Sequence, residues 1–257
     1  MKRLIINADD FGWDVETTST TISLIQRGIV TSASIMLGRP ATEMALKYAR
    51  SRAGDKISFG LHLNIVDGML PVSHQPHSLV NRTGSFRRSH YQRIAALFGR
   101  LRASDLEQEI RAQLDLLLES GICPTHVDSH GHLHKIPQIA RVLSEVLKEY
   151  DINYVRRSQN IYHGHSLTDL LDTYSAWRSP KFLSTDYFYA PNGRGDWLQQ
   201  FIGDLPVGTT ELGVHPGNAE EWRRVETVPL SQIDPDSFAR QGIELISYRY
   251  RLATMGL

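Results

Sequence analysis

A single cysteine, Cys123, stands in 257 residues. No intramolecular disulfide can form, and a reducing compartment suits such a chain. Charge of one sign is also missing: 28 Lys and Arg balance 28 Asp and Glu. A neutral chain carries no overall basic field, which argues against nucleic acid or an anionic membrane as partner. No window approaches the roughly 18 apolar residues of a membrane span. The opening Met1-Lys2-Arg3-Leu4-Ile5-Ile6 is basic then apolar, as a signal peptide would be. Asp9-Asp10 ends that run before an h-region can form. The expectation is a soluble, cytoplasmic protein without a membrane span. Linkers and internal repeats are absent too, so residues 1–257 are expected to form one domain.

What is present is an alternation. With 41% hydrophobic and 22% charged residues the composition is that of a globular protein. Leu4-Ile5-Ile6, Thr31–Leu37, Ser58–Asn64, Pro124–Ser129, Asn153–Arg157, Glu211–Val214 and Ile243–Tyr250 read as strands. Between them lie segments of helical period. Thr21 to Gly28 closes on a C-cap-like glycine, and Pro40 opens a helix to about Arg52. Ser104-x-x-Glu107 has the form of a capping box, followed by Leu106, Ile110, Leu114, Leu117 and Leu118 on one face. Ile139, Val142, Leu143, Val146, Leu147 and Tyr150 repeat the spacing. Strand–helix alternation predicts an α/β fold on a parallel sheet, and its length suits a single irregular (β/α) barrel, TIM-like. A doubly wound open sheet is the alternative. Residues 66–102 read as loop, with a short helix around Tyr91 to Phe98, and are expected to be an insertion after the third strand, over the site.

In parallel α/β folds, reactive groups gather where strands end. Four motifs lie there. Asn7-Ala8-Asp9-Asp10-Phe11-Gly12 follows the first strand. Two adjacent carboxylates suit a metal ligand beside a proton acceptor, though a turn with an Asp N-cap reads the same way. His62, between two leucines, fits a ligand or a hydrogen-bonded core residue. In His126-Val127-Asp128-Ser129-His130-Gly131-His132-Leu133-His134, four His and one Asp fall on alternate positions, which a strand would point one way. Asp128 could there orient a ligand histidine; a solvated His-rich turn is the plainer reading. His215, before Pro216-Gly217, is placed to titrate near neutral pH or to pack as an ordinary core histidine.

Six of the eleven histidines fall in these motifs. Imidazole with carboxylate suits Zn²⁺ and its neighbours, whereas Mg²⁺ prefers more oxygen. His126-x-Asp128 with His215, and Arg223 further on, also imitates the facial triad of Fe(II)-dependent oxygenases. Those enzymes usually sit on all-β scaffolds. No G-x-S-x-G elbow and no Gly-rich phosphate loop is present, which disfavours serine hydrolases and phosphoesterases.

NADDFG, TSAS, GLHLN, THVDSHGHLH and HPG, in this order from Asn7 to Gly217, resemble the YdjC-like carbohydrate deacetylases. That resemblance implies an irregular (β/α) barrel and hydrolysis of an N-acetyl group from an amino sugar. It further implies one divalent metal ion, Zn²⁺ or Mg²⁺, held by Asp10, His62 and His126, with His130 as the alternative third ligand. Asp9 would be the general base, and His215 the acid or transition-state stabiliser. The implied partner is a small molecule or oligosaccharide bearing N-acetylglucosamine; self-association is left open. A catalytically inactive carbohydrate-binding protein on the same fold is the competing reading. Gly131 replaces a histidine common in the family, and Trp13 to Thr17 lacks its small residues. Both departures lie beside the expected cleft and bear on the substrate.

Overall fold

The computed structural model of the chain describes residues 1–74, 76–161, 182–191 and 196–250. Its organising element is β1 (Lys2–Phe11), whose Leu4, Ile5 and Ile6 are fully buried. A strand with no exposed face must be covered by helices on one side and side chains on the other. On one flank β1 pairs with β2 (Ser32–Ile35), followed by β3 (Ser58–Leu63) and β4 (Val127–Ser129). On the other flank come β6 (Gly208–Val214) and then β5 (Tyr187–Tyr189). The short β7 (Ile243–Leu245) pairs with Lys2 to Leu4. Every ladder is parallel, and the order is β4-β3-β2-β1-β6-β5 with β7 beside β1. The sheet curls into a half-barrel flanked by helices, an α/β fold. Isolated bridges, Val127 to Val155 and Tyr154 to Leu183, carry pairing beyond β4.

Among the described residues the helices are α1 (Val15–Gln26), α2 (Thr42–Ser51), α3 (Ser89–Leu97), α4 (Ala103–Glu119), α5 (Pro137–Glu149), α6 (Trp197–Asp204), α7 (Glu221–Gln232) and α8 (Asp236–Arg240). The apolar stripes of α4 (Leu106, Ile110, Leu114, Leu117) and α5 (Ile139, Leu143, Val146, Leu147) are buried, as their spacing predicts. α1 starts six residues before Thr21, because the Asp14 carboxylate accepts from Thr17 N at 2.7 Å and caps it. The capping box expected at Ser104 does not form: Arg102 occupies the cap without a side-chain bond. The acids of this helix turn sideways instead. Asp105 accepts from Ser78 N at 2.7 Å, and Glu109 accepts from Val72 N and Ser73 N at 3.1 and 3.0 Å. Two predicted strands shrink, Asn153–Arg157 to bridges at Tyr154 and Val155, and Ile243–Tyr250 to β7.

Register decides what meets at the carboxyl ends. Ala8 lies opposite Val214 and His62 opposite Asp128, so the segments after β1, β3, β4 and β6 converge at one rim. Replacing Asp14 by alanine removes the cap beneath that rim. Chemical unfolding should show a loss of about 1 kcal/mol.

Candidate active site

Consecutive side chains of a strand face opposite sides of the sheet. Asp9 and Asp10 nonetheless both approach His62. The cause is local: the register of β1 against β2 shifts between Ala8 and Phe11, and Asp10 adopts a left-handed φ of 58°. Trp13 N closes the turn on Asp10 O at 2.9 Å. A non-glycine residue in that region is strained by about 1 kcal/mol, a cost typical of functional positions. The kink swings the second carboxylate to the side of the first.

Asp10 and His62 are buried, and His130 is half-buried beside them. His130 Nδ1 lies 3.0 Å from Asp10 Oδ1, and His62 Nε2 lies 3.3 Å from the same oxygen without forming a hydrogen bond. The ligand atoms of these three residues all lie within 4.8 Å of one another. Asp128 Oδ1 sits 2.8 Å from His62 Nδ1, which fixes that nitrogen as the protonated one and turns Nε2 towards Asp10. Arg223 Nη2 holds the other oxygen, Asp10 Oδ2, at 2.6 Å. Burial disfavours a charged His62, yet Asp128 and Asp10 overrule it and raise its pKa to about 10. A buried imidazole pressed to carry positive charge marks a place that favours a cation. A buried, unbonded imidazole nitrogen facing a carboxylate oxygen that a second imidazole also approaches fits a divalent ion. Asp9, His62 and Asp128 form a second such group, but a guanidinium already neutralises it.

His126 is elsewhere. Its Nε2 lies 3.1 Å from both Ser34 Oγ and Asn7 Oδ1, and its ring stacks on Tyr248 at 4.0 Å. Burial lowers its pKa to about 4, so it stays neutral. Gly60 makes this possible, since a Cβ there would lie 2.5 Å from the ring. The structure thus brings His130, rather than His126, to Asp10 and His62. The alternation of the His-rich run holds only to His130. There β4 ends, and Gly131 (φ 62°) and His132 (φ 55°) turn left-handed into a 3₁₀ segment, His130–Lys135. His134 folds back so that its Nδ1 meets Ser129 Oγ at 2.7 Å.

Four residues that the sequence did not single out build the rest. Arg156, fully buried, grips Asp9 with two bonds of 2.6 Å, Asp128 at 2.7 Å and Glu211 at 2.8 Å. Although burial opposes ionisation of Asp9, Arg156 holds its carboxyl well below the usual range. Tyr248 donates to Glu211 at 2.6 Å. Glu226 accepts from His215 N at 2.7 Å and lies 3.2 Å from His215 Nδ1. His215 Nε2 then points at Asp9 Oδ2, 3.8 Å away. Burial opposes the charge on His215, but Glu226 and Asp9 outweigh it and raise its pKa to about 8. The signal for Arg156 and Glu211 in the sequence was weak: Glu211 lies within β6, and Arg156 follows the bridge at Val155 beside a second arginine, Arg157. Among the aromatic residues, Trp13 stacks on His130 and the exposed Trp222 meets His215 edge-on. Trp197, Phe188 and Tyr189 are core.

A curled parallel sheet with carboxylates and imidazoles facing each other at its carboxyl rim defines a barrel-like α/β protein with a polar, cation-favouring centre. The chain belongs to the YdjC-like protein family, whose model matches residues 3–248. It is 31% identical to a carbohydrate deacetylase of Geobacillus stearothermophilus, with 95% of this chain and 96% of that protein covered. A carbohydrate deacetylase of Vibrio parahaemolyticus is 27% identical, at 98% and 97% coverage. In fold the chain is similar to a structure from Enterococcus faecalis described as that of a cellobiose-phosphate cleavage protein. The TM-score is 0.76 at 24% identity, with 97% and 98% of the two chains covered. A family 4 acetyl xylan esterase of Clostridium thermocellum, in complex with cobalt, shares the fold more distantly, at a TM-score of 0.52 and 11% identity over 100% of this chain and 93% of that one.

Two outcomes follow from the buried network. Gly60→Ala should push the His126 ring from its seat and destabilise the protein by about 1–3 kcal/mol in thermal unfolding. Arg156→Gln leaves three buried carboxyls without their counter-charge, and should cost about 3–5 kcal/mol at neutral pH. Asp9 and Asp128 have lowered pKa values, so their stabilisation holds above the ordinary carboxylate range and fades as pH falls. In the variant these carboxyls move up instead. Its deficit, measured by denaturant unfolding across pH, should therefore narrow on acidification.

Proposed function

We propose that this protein is a metal-dependent hydrolase that removes the acetyl group from an N-acetylated amino sugar. Its acceptor is an oligosaccharide or glycoconjugate carrying N-acetylglucosamine. The observation that carries the reading is the set Asp10, His62 and His130, with His62 Nε2 buried and unbonded beside Asp10 Oδ1. These three residues would hold the ion; their one oxygen and two nitrogen donors favour Zn²⁺ or a neighbouring transition metal over Mg²⁺. When bound there, such an ion supplies Lewis-acid polarisation of an amide carbonyl and acidifies water, whose pKa falls from 15.7 towards about 7 in favourable sites. The YdjC-like membership and the carbohydrate deacetylase names of near full-length relatives support the substrate class.

The residues of this chain divide the proton work. Asp9, kept ionised and oriented by Arg156, takes the proton from the attacking water at Oδ2. His215, held protonated by Glu226, delivers a proton from Nε2 to the departing sugar nitrogen, because a free amide anion is too basic to leave. Arg223 restrains Asp10 through Oδ2, which leaves Oδ1 facing His62 and His130. The exposed ring of Trp222 beside His215 offers an apolar face to a sugar. The 66–102 segment would wall the cleft: Asp67 Oδ2 is 3.7 Å from His130 Nε2, and Arg93 donates to Gly131 O. A neutral chain with one cysteine, and no helix among the described residues long and apolar enough to cross a membrane, agrees with a cytoplasmic enzyme.

Acetate release from a panel of N-acetylglucosamine compounds, with chelator-stripped and Zn²⁺-reloaded protein, tests the reading. Metal-dependent acetate is expected; saccharide binding without acetate at full metal occupancy would favour the inactive binding protein. Calorimetric metal titration separates the two histidines. His130→Ala should weaken binding at least about tenfold, whereas His126→Ala should leave it near that of the parent. Asp9→Asn should keep the ion and lose at least about a hundredfold in turnover. In the metal-free protein an NMR titration should place His215 near pH 8, and Glu226→Gln should lower it.

A further inference from the structure

Overall neutrality conceals a segregation of charge. Residues 76–102 contain six arginines, Arg82, Arg87, Arg88, Arg93, Arg100 and Arg102, and no Asp or Glu. Arg93 turns inward to the Gly131 carbonyl. Of the other five, Arg87 is half-buried and the rest are exposed, and none makes an ion pair among the described residues. The helix at the centre of this segment, α3, is built inside out. Towards the protein it turns Gln92, whose amide donates to Ile65 O and Leu79 O, and the small Ala96. Towards solvent it turns Tyr91, Ile94, Leu97 and, just beyond its end, Phe98, which are 59%, 49%, 66% and 72% exposed. Arg87, Arg88 and Arg100 rim a groove of about 540 Å³ floored by Tyr91, Ile94 and Ala95.

Large apolar side chains grouped on a surface mark a contact, and the surrounding charge says with what. A second copy of this chain meeting the face about a two-fold axis would set arginine against arginine, which is repulsive. An anionic bilayer satisfies both components at once. Tyr, Ile, Leu and Phe side chains enter the boundary between headgroups and acyl chains while guanidinium groups pair with phosphates. We infer that the outer face of α3, with the arginines around it, docks the protein on an anionic membrane surface. This runs against the expectation drawn from net charge, which averages away a local basic cluster. The docked face adjoins the rim: Asp67, which accepts from Ser89 N at the start of α3, is also the residue that reaches towards His130.

Vesicle co-sedimentation of the full chain tests this without reference to catalysis. Binding is expected to vesicles containing about one-third phosphatidylglycerol and not to phosphatidylcholine alone, and it should weaken steeply as salt is raised. Arg88→Gln with Arg100→Gln should lower the partition coefficient about fivefold for each arginine removed. Phe98→Ser should lower it about tenfold. Circular dichroism and unfolding unchanged from the parent show that the variants are folded. Absence of binding to anionic vesicles at low salt would overturn the inference. So would binding that these substitutions leave intact, or retention on soluble heparin without vesicle binding. Light scattering that shows a dimer, split by Phe98→Ser, would assign the face to a second copy instead and equally overturn it.

Discussion

One guanidinium holds this centre together. Arg156 is buried at the middle of the half-barrel and ties carboxylates from three strands, Asp9 of β1, Asp128 of β4 and Glu211 of β6. Three carboxyls packed so closely would otherwise repel and take up protons. With Arg156 among them, Asp9 and Asp128 stay ionised, and Asp128 is free to orient His62 through its second oxygen. The position of the candidate metal ligands thus depends on a residue that touches none of them. Glu211 is the least favoured of the three: burial raises its pKa, and Tyr248 donates a hydrogen bond to it. The same Tyr248 ring seats His126, so the floor of the site and its charge balance are one construction.

Above that floor, the left-handed turn at Asp10 divides two adjacent carboxylates between two surroundings. Asp9 faces Arg156 and His215, a proton-transfer environment; Asp10 faces His62, His130 and Arg223, a cation environment. A straight strand would have put one of them on the helix-covered side, where an unpaired charge is costly. The bulge that produces the kink is therefore what brings both carboxylates to one side of the sheet.

Much of the fold was legible, because period carries topology. Strands of four to six apolar residues alternating with stripes such as Leu106-Ile110-Leu114-Leu117 leave few arrangements other than a parallel sheet under helices. Errors came where local signals compete with tertiary ones. Ser104-x-x-Glu107 has a capping box's letters, yet Asp105 and Glu109 are drawn to the backbone of residues 72–78. Asn153 to Arg157 has the letters of a strand, but its pairing stops at two bridges while Arg156 turns into the centre. At the site, Asp9, Asp10, His62, His130 and His215 were readable as polar residues at strand ends. Arg156 and Glu211 were not, because a charge within or beside a strand becomes informative only when its partner, far along the chain, is known to be opposite.

The sequence by itself determined the residue types and their order: a run of strand ends, each carrying a carboxylate or an imidazole, and a basic stretch without acids at 76–102. Those are properties of spacing, and period and composition suffice to state them. Which histidine joins Asp10 and His62 was decided by the tertiary structure alone. His126 and His130 project from the same side of the segment through β4, and only the stacking of His126 on Tyr248 in the space left by Gly60 takes one of them out of reach. The direction in which α3 turns its apolar residues was decided in the same way, with Gln92 drawn inward to Ile65 O and Leu79 O while Phe98 stays exposed. Neither choice exists until residues distant along the chain share one volume.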